Sequence, residues 1–224
     1  MNKHEVRAWI EDVGIIPAIR VRSADDALFA AEAIVRGGIP IVEITLTVSG
    51  AMKVISQLRK EIPNMVVGAG GVIDEVSARQ SLDAGAQFLT SDGLHRELIE
   101  FAAEQNVVVF PGALTPTEVI TAWRERCDFV KVVPCAQMGG ETYIRSLHRM
   151  FPNLPLIAAG GINQQTASQY IVAGAIALGI GSELIPPDAI RGRQVDRIAE
   201  LARRFVGFVR NGREYLLARR PVVA

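Results

Sequence analysis

The stretch ADDALFAAEAIVRGGIPIVEITL, residues 24–46, decides the fold. Ala27, Leu28, Ala31, Ile34 and Val35 recur at helical spacing and form one apolar stripe. Gly37-Gly38 follow the last periodic residue, where a helix commonly ends in a left-handed conformation. From Pro40 to Leu46 the chain turns apolar and β-branched, as a strand buried on both faces does.

The same unit repeats along the chain. Strand-like runs occupy Ile15–Arg20, Pro40–Leu46, Met65–Ala69, Gln87–Ser91, Val107–Phe110, Phe129–Pro134, Pro155–Ala159 and Ile176–Gly179, their starts 20 to 26 residues apart. A helical pattern fills each gap. Ser23 before Asp25 and Asp26, Asp74 before Glu75, and the capping box Thr115-Pro116-Thr117-Glu118 mark helix starts. Gly85 and Gly174, like Gly37-Gly38, mark helix ends. Parallel strands need crossover helices that cover both faces, so eight such units predict an α/β fold of the closed (β/α)8 TIM barrel type. An open doubly wound sheet is the rival. The length of 224 residues suits one barrel domain, 1–224. An extra N-terminal helix within residues 1–13, over Lys3–Glu11, is expected to plug the bottom of the barrel. Val195–Val209 reads as the closing helix, and residues 213–224 as a C-terminal tail of undefined structure, whose apolar residues from Tyr215 onward either pack on a neighbouring subunit or hang free.

Composition narrows the function. Lys plus Arg (24) balance Asp plus Glu (24), which argues against nucleic acid or an anionic membrane as partner and leaves a small molecule as the expected ligand. The apolar runs are far short of the roughly 20 residues that span a bilayer, and the N-terminus lacks a signal-peptide core. Cys127 and Cys135 stand too far apart along an extended segment to bridge, so free thiols and a cytoplasmic location are expected. His4, His95 and His148 share no metal-ligand spacing, and no metal or cofactor is expected.

Two charges interrupt the buried strands. Glu43 lies among Ile41-Val42 and Ile44-Thr45; Lys131 lies within Phe129-Val130-Lys131-Val132-Val133-Pro134. Either the two form a self-satisfied ion pair, or both line the catalytic mouth. Desolvation disfavours an ammonium and so favours the neutral amine that attacks a ketone, while a nearby carboxylate shuttles protons. That is the equipment of Schiff-base chemistry, with Lys131 as nucleophile and Glu43 as general acid and base.

Glycine clusters end the third, seventh and eighth strands: Gly68-Ala69-Gly70-Gly71, Gly160-Gly161 and Gly179-Ile180-Gly181-Ser182. Loops after strands seven and eight of barrels commonly hold a phosphate on backbone N–H groups, so Gly160, Gly161, Gly181 and Ser182 are candidates for an anion site. Ser182 would open a short helix towards Pro186. Arg20, ending the first strand, would bind a carboxylate or phosphate, and Thr45 and Thr47 would hydrogen-bond substrate. Asp92, after the fourth strand, reads as a loop cap rather than a catalyst.

Glu43-Ile44-Thr45-Leu46, Gly68-Ala69-Gly70, Pro111-Gly112, Lys131-Val132-Val133-Pro134 and Gly160-Gly161-Ile162 form an ordered set that closely resembles the 2-keto-3-deoxy-6-phosphogluconate (KDPG) / 4-hydroxy-2-oxoglutarate (KHG) family of class I aldolases. The resemblance runs from about Ile15 to Val209. It implies a homotrimeric, metal-free barrel that cleaves a 2-keto-3-deoxy sugar acid to pyruvate and an aldehyde. It places the family's Schiff-base lysine on Lys131, its acid/base glutamate on Glu43, and its phosphate loops on Gly160, Gly161, Gly181 and Ser182. Five positions depart from the family pattern. Thr47 replaces an arginine that holds the keto-acid carboxylate, Gly71 and Ala159 replace threonines, Asp92 replaces a proline, and Val133 replaces an aromatic residue. Arg20 is positioned to take over the carboxylate, and the smaller Gly71, Val133 and Ala159 imply a roomier pocket. The readings that compete with a phosphorylated substrate are cleavage of unphosphorylated 4-hydroxy-2-oxoglutarate, a non-catalytic phosphate-ligand binder, and a phosphosugar isomerase or synthase.

Overall fold

The computed structural model describes residues 1–219. Nine strands form one sheet: β1 (Ile15–Ile19), β2 (Ile41–Thr45), β3 (Val66–Gly70), β4 (Phe88–Thr90), β5 (Val108–Phe110), β6 (Gly112–Ala113), β7 (Val130–Val132), β8 (Leu156–Ala159) and β9 (Ala175–Ile180). The helices between and around them are α1 (Lys3–Val13), α2 (Ala24–Arg36), α3 (Ala51–Glu61), α4 (Glu75–Asp83), α5 (Arg96–Glu104), α6 (Pro116–Arg124), α7 (Gly140–Met150), α8 (Ala167–Val172), α9 (Pro187–Arg191) and α10 (Val195–Ala218).

All strand pairs are parallel, in the order β5-β4-β3-β2-β1-β9-β8-β7-β6. The two ends of that order, β5 and β6, are consecutive in the chain. Between them lies Pro111, which has no N–H to give to a ladder, so the expected fifth strand, Val107–Phe110, is followed by a separate two-residue piece, β6, that the sequence reading did not include. The ring still closes there: the Val109 carbonyl accepts from the Asp128 N–H at 3.0 Å and the Pro111 carbonyl from the Lys131 N–H at 2.9 Å. The result is a (β/α)8 barrel with one interrupted strand.

The anticipated caps form. The Ser23 side chain accepts from the Asp26 N–H, Asp74 from the Ser77 N–H, and Thr115 and Glu118 make a reciprocal capping box. At the end of α2 it is Gly38, at φ 89°, that adopts the left-handed conformation, while Gly37 stays helical. Ser182 opens no helix. Residues 182–184 turn back through bonds from the Leu184 and Ile185 N–H groups to the Gly181 carbonyl, and α9 begins only after Pro186.

Helix α1 covers the N-terminal end of the barrel, as anticipated. Lys3 pairs with Asp128 at 3.0 Å, and the Arg7 guanidinium lies 5.3 Å from the Phe129 ring centre. Inside, Phe88 stacks on Phe110 with ring centres 5.3 Å apart, and Phe110 meets Phe129 edge-on at 6.0 Å. Side chains alternate along a strand, so Thr90 stands two residues above Phe88 and Lys131 two above Phe129 on the same face. The aromatic layer is therefore the floor beneath the polar residues.

Helix α10 runs past Val209 to Ala218, so the expected tail begins as helix. Arg213 explains this: its guanidinium donates to the Glu11 and Asp12 carbonyls, each at 2.5 Å, tying the helix to the end of α1. Tyr215, Leu216 and Leu217 are exposed on it, and residues 220–224 of the expected tail lie outside the described residues.

Phe110 touches both other rings and is fully buried. Phe110→Ala is expected to cost about 3–5 kcal/mol of stability, the range for deleting a large buried ring. Urea unfolding followed by circular dichroism measures it; a loss below about 1 kcal/mol would mean the ring layer is not what supports the barrel floor.

Candidate active site

Two glycines of β3 make room for the first carboxylate. A Cβ on Gly70 would collide with the Glu43 carboxylate, and one on Gly68 with the Phe88 ring. Glu43 thus extends from β2 across the bare backbone of β3 towards β4. There its Oε2 accepts a hydrogen bond from the Thr90 hydroxyl at 3.2 Å.

The Thr90 oxygen in turn accepts from the Lys131 ammonium at 2.9 Å. Nζ also donates to Asp92 Oδ1 at 2.7 Å, and Asp92 Oδ2 meets an Arg20 Nη2 at 3.3 Å. The polar residues form a continuous line: Glu43, Thr90, Lys131, Asp92, Arg20. Burial grades along it. Glu43 and Lys131 are 4% and 5% exposed and Thr90 is fully buried, whereas the Asp92 and Arg20 side chains are 50% and 61% exposed. The line therefore runs from inside the barrel to solvent at the C-terminal ends of the strands, where barrel active sites lie.

One of the two alternatives for the buried charges is set aside here, and one expectation is corrected. Glu43 and Lys131 do not form a direct ion pair, because Thr90 lies between them. Asp92 is not a loop cap; its carboxylate is the ion-pair partner of Lys131. Burial works against the Asp92 anion, but the Lys131 ammonium and the Arg20 guanidinium outweigh it and hold the carboxyl below its ordinary 3.8.

A cavity of about 840 Å³ opens over this line. Arg20, Glu43, Lys131 and Val133 line it together with Gly160, Gly161, Gly181 and Ser182, and Asp92 and Ala159 are also in its wall. Three sequence candidates do not line it. Thr45 is buried, donating to the Ile19 carbonyl at 3.1 Å, so its hydroxyl joins β1 to β2. Thr47 is exposed, 2.9 Å from the Thr45 hydroxyl. Gly71 sits beyond β3 at φ 73°, a conformation that strains any L side chain, with open space where a Cβ would be.

The glycine loops are unequal. Gly160 and Gly161 have φ of 85° and 78°, and a Cβ on Gly160 would lie 2.9 Å from the Pro134 backbone. Those two are demanded by the protein's own packing. A Cβ on Gly181 would meet only the Ala18 carbonyl, at 3.9 Å. Packing leaves Gly181 free to carry a side chain, and its bareness keeps backbone open to the cavity beside Ser182.

A smaller hollow of about 450 Å³ on the outer side of Ser182 is walled by Arg197 and Arg204, which are already paired with Asp188 and Glu200. Both cysteines are free and buried, and burial raises both thiols, that of Cys127 to about 12, so neither is a ready nucleophile. Among the described residues no group of three or more acidic, histidine or cysteine side chains is placed to hold a metal ion. No described helix is long and apolar enough to cross a membrane.

The family model described as KDPG and KHG aldolase matches residues 6–201. The chain is 31% identical over 192 residues to the KHG/KDPG aldolase of Escherichia coli K12, covering 86% of this chain and 90% of that one. It is 30% identical to the 2-dehydro-3-deoxy-phosphogluconate aldolase of Dickeya dadantii, with the same shares covered. Among solved structures, KDPG aldolase from Legionella pneumophila, holding pyruvate as a covalent carbinolamine intermediate, superposes with a TM-score of 0.82 at 29% identity over 88% of this chain and 96% of that one. A cube-shaped cage designed by fusing symmetric oligomeric domains contains a chain that matches with a TM-score of 0.83 at 26% identity, over 92% of this chain and 75% of that one.

The Asp92 pairing has a pH signature. A carboxyl titrating below its ordinary value adds stability that is complete above that value and is lost as pH falls through the lowered one. Asp92→Asn is therefore expected to lower the urea midpoint at pH 7 and to differ less from the parent at pH 3. A gap of equal size at both pH values would show that the charge on Asp92 contributes nothing.

Proposed function

Because the chain belongs to the KDPG and KHG aldolase family and is an aldolase of class I, we propose that it cleaves a phosphorylated 2-keto-3-deoxy sugar acid to pyruvate and glyceraldehyde 3-phosphate through a Schiff base on Lys131. The observation that carries this reading is the buried relay from the Lys131 amine through the Thr90 hydroxyl to the Glu43 carboxylate. Each donor in it faces the next acceptor, so a proton leaving Nζ has a route to Glu43.

The neutral amine adds to the C2 carbonyl and forms the carbon–nitrogen bond. Glu43 returns the proton to the carbinolamine oxygen, which leaves as water. The resulting iminium draws in the electrons of the C3–C4 bond as Glu43 takes the C4 hydroxyl proton and the aldehyde departs. Protonation of the enamine at C3 and hydrolysis by water release pyruvate and restore the amine. The far end of the substrate would lie across the cavity, its phosphate on the Gly160, Gly161 and Gly181 backbone and the Ser182 hydroxyl. Arg20 would receive the C1 carboxylate in place of the family arginine that Thr47 replaces.

We extend the reading to a homotrimer in the cytoplasm that uses no metal or cofactor. The likeness to a chain from a cage of symmetric oligomeric domains supports assembly, and Ile73 and Val76, 61% and 67% exposed beyond β3, are apolar surface that a subunit contact would cover.

Borohydride reduction with pyruvate should fix a three-carbon adduct on Lys131, located by mass mapping. Lys131→Met should lose both adduct and aldehyde release, and Glu43→Gln should lower kcat by about 10²–10⁴-fold. A reduced adduct on another lysine, or none at all, overturns the mechanism.

Ser182→Ala is expected to raise KM about tenfold for the phosphorylated substrate, one charge-assisted hydrogen bond, while leaving cleavage of 4-hydroxy-2-oxoglutarate unchanged. Equal effects on both substrates would favour the unphosphorylated one.

A further inference from the structure

The charges around the Lys131 amine are balanced before any substrate enters. Lys131 and Arg20 are the cations, Glu43 and Asp92 the anions, and each cation already touches Asp92. A donor that carries a carboxylate on C1 brings a third negative charge into this set. The position from which a family arginine would answer it holds Thr47, exposed and bonded to Thr45.

Distance makes the conflict local. Once C2 is bonded to Nζ, C1 lies about 2.5 Å from that nitrogen by bond geometry alone, and its substituents lie only slightly farther out. Asp92 Oδ1 is 2.7 Å from the same nitrogen, with its other oxygen on Arg20. C1 and Asp92 Oδ1 can therefore be no more than about 5 Å apart, and a C1 carboxylate would have to share Arg20 with Asp92. A neutral substituent meets the opposite situation: a hydroxyl there donates to Asp92 and leaves the Arg20 pairing intact.

We propose that Asp92 is the specificity-determining residue for the donor, and that it admits hydroxymethyl ketones such as hydroxyacetone and dihydroxyacetone to Lys131 in addition to pyruvate. This rests on the reading of Lys131 as the Schiff-base amine. With such a donor the amine adds to the ketone carbon, water leaves, and Glu43 removes a proton from the adjacent carbon to give the enamine. The enamine carbon bonds to an aldehyde, whose oxygen takes that proton, and hydrolysis frees the lengthened hydroxyketone and the amine. The net reaction is an aldol addition, with no oxidant or reductant.

The test is borohydride capture over a range of donor concentrations, read as the mass of the Lys131 peptide. Pyruvate and hydroxyacetone are compared, singly and in competition, in the wild-type protein, Asp92→Asn and Asp92→Pro. Wild type is expected to show both adducts. Removing the charge should shift the ratio of half-saturating concentrations towards pyruvate by about tenfold, the size of one like-charge repulsion at a half-exposed site. The competition in wild type stands by itself should either variant fail to fold. Capture of pyruvate without hydroxyacetone, or a ratio unchanged in both variants, overturns the proposal and leaves the Schiff-base reading intact. Absence of any adduct on Lys131 with either donor overturns both.

Discussion

An amine held inside a barrel is the constraint on which the rest of the structure depends. Lys131 is almost fully buried, and an ammonium without partners in that position would carry a heavy desolvation penalty. Two contacts meet it, Thr90 from below and Asp92 from the mouth. They differ in kind. Thr90 connects the amine to Glu43 by hydrogen bonds along which a proton can pass, whereas Asp92 places a compensating charge directly on the ammonium. Proton transfer and charge compensation therefore fall to different residues, and either can change while the other is kept.

The fold makes that separation possible by what it leaves empty. Gly68 and Gly70 clear β3 so that the ring of Phe88 and the carboxylate of Glu43 both reach inward. The phenylalanine layer closes the barrel below, and Pro111 cuts the fifth strand yet keeps its carbonyl on the Lys131 N–H. The backbone of Lys131 is thus fixed at the point where the ring closes. Its side chain can change partners during a reaction while its Cα stays in register, which favours preorganisation over movement of the loop.

Much of this was legible in the sequence, because period and burial act locally. The strand–helix repeat, the caps at Ser23, Asp74 and Thr115, and the charges of Glu43 and Lys131 in apolar runs each follow from neighbours in the chain. What escaped depends on strands distant in sequence. Thr90 reads as an ordinary β-branched residue, and only its register two positions above Phe88 places it on the inner face, between side chains 47 residues before it and 41 after. Asp92 reads as a turn residue because turns are where aspartate commonly sits; its departure from the family proline was the available signal. Thr45 failed for the converse reason, its hydroxyl being used across the β1–β2 joint. The α10 extension rests on Arg213 reaching carbonyls some two hundred residues away, which no local pattern announces.

Of the five departures from the family pattern, Asp92, Val133 and Ala159 line the cavity and Thr47 and Gly71 do not. Gly160, Gly161, Gly181 and Ser182 keep the glycine-rich loops that carry the resemblance, with Ala159 changed beside them, and Gly181 is bare without any packing need. The changes in charge fall just beyond β2 and β4, where an arginine position holds Thr47 and a proline position holds Asp92, and only Asp92 reaches the cavity. Relative to the family pattern the first removes a positive charge and the second adds a negative one. They alter the electrostatic sum in the same direction, and Arg20 restores only one of the two units. A carboxylate set beside the amine, with the Glu43–Thr90–Lys131 relay kept intact, changes which substituent can sit next to the reacting carbon and leaves the proton route as it was.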